Sequence, residues 1–295
     1  MMDALLAQLR ILNQTLQKLA DAVAPAPDPG VFDGYEAFRV STENGRVRLR
    51  GISAPDPVTF TELKGIDHLI INLRENTEQF LEGLPCNNVL LYGPRGTGKS
   101  SAVKAAFNEY RGKGLRMIEM PRDTLFHLFE LLEMIRGRTE RFVIFCDDLA
   151  FEEEETSYRQ LKSVLEGGLE VRPANVLIYA TSNRRHLMPE RASDNQPVYS
   201  EGELHPAESI EEKLSLSDRF GVRLGLYHFD AETYLGIVSN YAVLRSLDVD
   251  AGELKAAALR WSLSHGGYSG RTARQFIDDL EGRIRMGKGS PRSCV

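Results

Sequence analysis

The sequence predicts an α/β fold, a parallel sheet flanked by helices, followed by a smaller all-helical part. Three observations predict it. From Phe60 to Phe229 short apolar runs alternate with stretches of helical periodicity, the order that builds a parallel sheet with right-handed crossovers. The first run, Asn88-Val-Leu-Leu-Tyr92, leads into a glycine-rich turn and then a helix over 101–110. After Asp230 the apolar spacing is helical throughout, with helices over 231–246, 251–264 and 270–286.

Each element follows from its local pattern. In residues 1–24, Leu5, Leu9, Leu12, Leu16, Leu19 and Val23 repeat at four- and three-residue spacing, the seam of an amphipathic helix. That seam suits packing on its own domain or a neighbour, or self-association as a coiled coil. Arg10 and Lys18 are its only cations, which argues against a membrane surface. Residues 25–30, Pro-Ala-Pro-Asp-Pro-Gly, break the helix and make a stiff linker. Within 31–59, Phe38–Ser41 and Arg46–Arg50 flank Glu43-Asn44-Gly45, a β-hairpin extension. The α/β unit is expected over 60–230. Its helices are placed at 67–82, 101–110, 124–136, 157–167 and 207–218, and its strands at 88–92, 115–120, 142–147, 175–181 and 223–229. Residues 184–206 are polar and carry Pro189, Pro197 and Pro206, so a long loop is expected there. The tail 287–295 is expected to be disordered.

Gly93-Pro-Arg-Gly-Thr-Gly98-Lys99-Ser100 fits G-x-x-x-x-G-K-[ST], the phosphate-binding loop of a P-loop NTPase. Gly93, Gly96 and Gly98 let the backbone curl so that its N–H groups face anionic phosphates. The following helix adds the positive end of its dipole. Lys99 is placed to reach the β/γ-phosphates, and the Ser100 hydroxyl to ligate Mg²⁺. Gly93, Pro94, Arg95, Gly96, Thr97, Gly98, Lys99, Ser100 and Ser101 are therefore the expected cradle of a nucleoside triphosphate and its Mg²⁺.

Phe142-Val-Ile-Phe-Cys-Asp147-Asp148 is a buried strand that delivers two acids to the carboxyl edge of the sheet. Asp147 suits Mg²⁺, and Asp148 suits orienting or deprotonating the attacking water. Asn175-Val-Leu-Ile-Tyr-Ala-Thr-Ser-Asn183 ends in polar groups that would put Asn183 beside the γ-phosphate. Arg219 follows a short helix in Leu216-Ser-Asp-Arg-Phe220, and Arg271 and Arg274 lie three apart on one helical face.

Composition narrows the partners. A 42% hydrophobic and 26% charged chain is ordinary for a globular protein without a membrane span. The scattered Cys86, Cys146 and Cys294 argue for a reducing cytoplasm. The six histidines have no metal-ligand spacing. The net charge of −6 offers no bulk attraction to nucleic acid, so binding through Arg39, Arg46, Arg48 and Arg50 is the less favoured reading.

This order of parts resembles the AAA+ family of ring-forming ATPases, over about Phe60 to Met286. The resemblance implies that Lys99 and Ser100 are Walker A residues and that Asp147 and Asp148 are the Walker B pair. It makes Asn183 sensor 1 and Arg271 sensor 2 in a C-terminal helical lid. Arg219 would be an arginine finger given to a neighbouring subunit, and Thr61–Asp67, with Ile66, the segment packed around adenine. The runs NVLLYGPRGTGKSSAVKA, FCDDLAFEEEE, LIYATSNRRHL and EEKLSLSDRFG are similar to a bacterial AAA+ subfamily known as domain of unknown function 815. The implied function is an oligomeric, Mg²⁺-dependent ATPase that remodels or loads a macromolecular partner, with an unknown protein as that partner. Two departures from the pattern keep open a very slow or non-catalytic ATP switch. The acid pair is Asp-Asp rather than Asp-Glu, with Glu152–Glu155 as a further source of a carboxylate. The Glu119-Met-Pro-Arg-Asp123 loop also lacks the aromatic grip of polypeptide-threading rings.

Overall fold

The computed structural model describes residues 30–43, 45–151, 158–167, 172–185, 187, 198–200, 203–205 and 216–287, together with positions 8, 10, 12, 13 and 15. Most of the heptad helix, positions 25–29 of the linker, Glu152–Glu155, the start of the 207–218 helix and the tail beyond Gly287 lie outside the described residues.

A seven-stranded sheet forms the centre. Its strands are β1 (Ala37–Glu43), β2 (Arg46–Gly51), β3 (Val89–Tyr92), β4 (Leu115–Glu119), β5 (Arg141–Cys146), β6 (Val176–Ser182) and β9 (Val222–Gly225). Two further strands, β7 (Val198–Ser200) and β8 (Glu203–His205), stand apart as a short ribbon. The spatial order of the main sheet is β2-β1-β4-β5-β6-β3-β9. Every neighbouring pair in it is parallel except the hairpin pair β1–β2. The hairpin joins the main sheet, because β1 pairs with β4 through Ala37↔Met117 to Arg39↔Glu119.

The helices are α1 (Val31–Gly34), α2 (Asp67–Leu81), α3 (Lys99–Tyr110), α4 (Leu128–Ile135), α5 (Tyr158–Glu166), α6 (Ala231–Leu244), α7 (Ala251–Ser264) and α8 (Gly270–Arg285). The strands bury both faces, which is why they read as near-continuous apolar runs. On one face Ile118, Ile144 and Ile178 pack with Leu128, Leu131 and Leu161 of α4 and α5. On the other, Met117, Val143 and Leu177 pack with Leu69, Leu73, Val103 and Phe107 of α2 and α3. A third cluster, around Tyr234, Ile237, Leu254, Phe276 and Leu280, holds α6, α7 and α8 together as a separate bundle. The side-chain caps of this bundle are legible in the sequence. Asp230, Asp250 and Ser269 each accept from the backbone N–H three residues on.

Three local expectations are corrected. The helix expected over 124–136 begins as a 3-10 segment, Arg122–His127, and becomes α-helical only at Leu128. Thr124 ties both its N–H and its hydroxyl back to the Pro121 carbonyl, closing three-residue turns at the start. The strand expected over 223–229 stops at Gly225. Among the described residues β9 pairs only with β3, which ends at Tyr92, and Leu226 N–H to the Tyr92 carbonyl at 2.8 Å is the last rung. The expected loop 184–206 contains the antiparallel ribbon of β7 and β8. Its sign was the pair of short runs around Glu201-Gly202.

The hairpin arginines share the outward face of β1 and β2, with Arg39 opposite Arg50. Arg39 pairs with Glu119 at 2.7 Å and Arg48 with Glu43 at 2.6 Å, so acids offset part of that basic face.

Candidate functional site

The parallel strands β3, β5 and β6 end along one edge, and the chain turns there into the groups singled out by sequence. After β3, Gly93 adopts φ 138° and Gly96 φ 77°, and Gly98 caps α3. Gly93 and Gly96 are required by space as well as by angle. A Cβ on Gly93 would sit 2.2 Å from the Leu226 carbonyl oxygen, and one on Gly96 2.9 Å from the Ser269 side chain. Gly93→Ala is expected to destabilise the protein by about 2–6 kcal/mol, combining backbone strain and overpacking of about 1–3 kcal/mol each. The obstructing atom is backbone and cannot rotate away. Chemical denaturation of the ligand-free protein checks this.

Lys99 is buried at the start of α3. Its Nζ donates to the Gly93 and Pro94 carbonyls, both at 2.7 Å, and to Asn183 Oδ1 at 3.2 Å. Burial pulls its pKa below the ordinary lysine value. Asp148 and Asp147 pull it back up, and Arg271 and Arg95 add to the depression. A partly desolvated cation held by neutral carbonyls is suited to meeting an anion.

Ser100 donates its hydroxyl to Asp147 Oδ1 at 2.6 Å, joining α3 to the tip of β5. Thr181 of β6 donates to the same oxygen at 2.6 Å. Asp148 turns the chain with φ 52°, the left-handed region that Asp tolerates better than most residues. Its N–H donates to Thr181 Oγ1 at 2.9 Å, and its Oδ1 accepts from Asn183 Nδ2. Arg95 lies 3.9 Å from the other Asp148 oxygen, with both side chains largely exposed, so that pair adds little. Before the acids, burial pushes the Cys146 thiol up to about 12, which leaves it a packing residue.

The bundle closes over this edge. Gly270 N–H, the first of α8, donates to the Gly96 carbonyl at 2.8 Å. On α6, Asn240 Nδ2 donates to the Thr61 carbonyl at 2.9 Å. Between bundle and sheet lies a cleft of about 490 Å³, lined by Arg95, Gly96 and Gly98 of the glycine loop, Lys99–Ser101, both acids, Thr181 and Asn183. Leu63, Tyr241, Arg271 and Arg274 face it from the adjoining segment and the bundle. Burial, followed by the charge of Glu62, raises the Tyr241 phenol pKa.

Most expected site residues therefore meet in one cleft. Gly93, Pro94 and Thr97 belong to the loop but do not line the cleft, and two further residues lie elsewhere. Ile66 is buried beneath the loop, 3.5 Å from where a Gly98 Cβ would be, and Leu63 rather than Ile66 reaches the cleft wall. Arg219 is not among the cleft residues and pairs with Glu166 of α5 at 2.7 Å. The sequence reading assigned no role to Thr181, Lys104 or Tyr241, whereas Leu63 lies within the Thr61–Asp67 segment expected beside the nucleotide. Thr181 had a sign, a hydroxyl at the end of a buried strand, whereas Lys104 and Tyr241 needed the placement of α3 and of the bundle.

The residues suit Mg²⁺ brought by a nucleotide. Ser100 and Asp147 offer hard oxygens side by side, and among the described residues no group of three or more His, Cys, Asp or Glu could cage a metal. Mg²⁺ commonly binds through one or two protein oxygens together with phosphates and water.

The sheet order, the glycine loop entering α3 and the closing helical bundle define an AAA+ type nucleotide-binding fold. The same fold is found in Thermotoga maritima RuvB structures. One, a point mutant of RuvB, is 17% identical with a TM-score of 0.54, covering 79% of this chain and 67% of that one. Another, described as the RuvB Holliday junction branch migration motor, is 16% identical with a TM-score of 0.51, covering 78% and 68%. The chain belongs to the family described as "Protein of unknown function (DUF815)", whose family model matches residues 33–284. It is also similar to proteasome-activating nucleotidase 2 of Haloferax volcanii, 29% identical over 145 residues, 45% of this chain and 33% of that protein. Proteasome-activating nucleotidase 1 of the same organism is 30% identical over 122 residues, 35% of this chain and 29% of that one. The match thus spans about a third of the length of these relatives. No described helix is long and apolar enough to cross a membrane.

Proposed function

We propose that the protein is an oligomeric, Mg²⁺-dependent ATPase that remodels or loads a macromolecular partner. The observation that carries this reading is the meeting of Lys99, the Ser100–Asp147 pair, the Asp148–Asn183 pair and the bundle arginines in one cleft. Bound Mg²⁺ supplies charge neutralisation at the phosphates, held by Ser100 and Asp147. Lys99 exchanges its loop carbonyls for phosphate oxygens, and Asp148 orients and deprotonates the attacking water, with Asn183 fixing its carboxylate. The direct bond from Gly270 to Gly96 gives the bundle a route to follow the nucleotide state. Two discrete arrangements with different affinities for a partner would turn that movement into work. Arg219, standing outside its own cleft beside Glu166, suits delivery to a neighbouring subunit.

The slow-switch alternative is favoured by one observation. Asp148 Oδ1 already accepts from Asn183, so one of its two oxygens is engaged before any water reaches it. The test is phosphate release and sedimentation on the full chain. The ATPase reading expects release only with Mg²⁺, rising in specific rate with protein concentration as subunits assemble, and lost in Arg219→Ala with ATP binding kept. A strict monomer with and without a non-hydrolysable ATP analogue overturns the oligomeric part.

A further inference from the structure

The tip of β6 is a junction for the whole site, and one of its side chains has no role in the scheme above. Asn183 bonds Lys99 and Asp148. Ser182 accepts the Gly93 N–H at its carbonyl, and its hydroxyl donates to the Leu149 carbonyl at 2.6 Å. Thr181, almost completely buried at 1% exposure, donates to Asp147 and accepts from the Asp148 N–H through the same hydroxyl oxygen. Its own carbonyl accepts the Leu149 N–H at 2.7 Å.

We propose that Thr181 is a positioning residue, whose hydroxyl sets the metal-binding Asp147 and the water-activating Asp148 as one unit. This rests on the ATPase reading for the roles of the two acids. The geometry is directional. The single hydroxyl proton is committed to Asp147 Oδ1, so Oγ1 meets the Asp148 N–H with a lone pair, as acceptor. That second bond ties down the backbone at φ 52°, a conformation sparsely populated by residues other than glycine. A shift of Asp147 on binding Mg²⁺ would therefore be passed to the Asp148 backbone through one oxygen. Asp147 also accepts from the Ser100 hydroxyl on the same Oδ1, so losing Thr181 leaves the carboxylate free to rotate about its remaining bond. Outer partners that orient metal-binding carboxylates act in this manner.

Thr181→Val keeps shape and volume while removing the hydroxyl, and Thr181→Ser keeps the hydroxyl. In the full chain, Thr181→Val is expected to lower kcat about 10–100-fold through misplacement of the acids, and to raise the Mg²⁺ concentration at half-saturation about tenfold. Binding of a fluorescent ATP analogue at saturating Mg²⁺ should stay within about threefold, because the phosphate loop is untouched. Thr181→Ser should restore both kcat and the Mg²⁺ response. A Thr181→Val protein with wild-type kcat and Mg²⁺ response overturns the proposal, as does a Thr181→Ser protein as impaired as the valine. Absence of phosphate release from the wild type would defeat the ATPase reading instead. The Mg²⁺ dependence of analogue binding then still decides on Thr181, a shift supporting its role and an unchanged response overturning it.

Discussion

Lys99→Ala is expected to weaken binding of an ATP analogue by at least about tenfold and to bring phosphate release to background. Each charge-assisted hydrogen bond lost to phosphate is worth about 1.5–3 kcal/mol, a factor of about 10–100 in affinity. The ligand-free fold should not suffer. Lys99 is held in place by neutral carbonyls of a loop that borders an open cleft, and those acceptors can take water instead. Burial, the largest influence on its pKa, opposes keeping the charge in the folded state. The folded-state pKa lies below 10.5, so between that lowered value and 10.5 the unfolded chain binds more protons than the folded one. Wild-type stability therefore gains with rising pH in that window, and the variant lacks the gain. At neutral pH the cation is present in both states, so its removal should leave the ligand-free melting temperature level or higher. Calorimetric titration and thermal melts together check the two halves. A variant that binds the analogue as well as the wild type removes Lys99, and with it the cleft, from nucleotide binding.

Much of this site could be read in sequence because parallel strands place their ends together. Lys99, Asp147 and Asn183 are far apart in the chain, yet each follows a buried apolar run and so must reach the same sheet edge. The run-then-polar pattern carried the reading, and it needed no knowledge of strand order. Thr181 was missed for the opposite reason. Its importance comes from the register Cys146↔Ala180, which sets the β6 tip against the turn after β5. No local pattern encodes that register. The cleft wall at Leu63 and Tyr241 depends on how the bundle sits over the sheet, through bonds such as Asn240 to Thr61 that join segments distant in sequence. The short β9 was misjudged because Leu226, Tyr227 and Phe229 continue the apolar run beyond the point where β3, its partner among the described residues, ends. Local chemistry thus fixed what each residue could do, and tertiary pairing decided which of them do it together.

Asp148→Asn is expected to separate binding from turnover. The substitution keeps the size of the side chain, and Asn tolerates the left-handed backbone at φ 52°. The amide oxygen can still accept from Asn183, so the junction at the β6 tip should stay closed. The weak, exposed pairing with Arg95 contributes about 0–1 kcal/mol at most, so stability should hardly change. What disappears is the group able to take a proton from water. General-base assistance is worth about 10²–10⁴-fold, and phosphate release should fall by that order. ATP affinity should hold or tighten, because a negative charge is removed from the cleft. The result is a long-lived ATP state, in which a partner recognised only by that state accumulates on the protein. Rapid-quench measurement of turnover beside analogue binding decides the matter. A variant that hydrolyses at the wild-type rate removes Asp148 from water activation. A wild type that itself stays at background turnover shifts the function from motor to switch, since occupancy of the cleft would then be the only signal that ATP conveys.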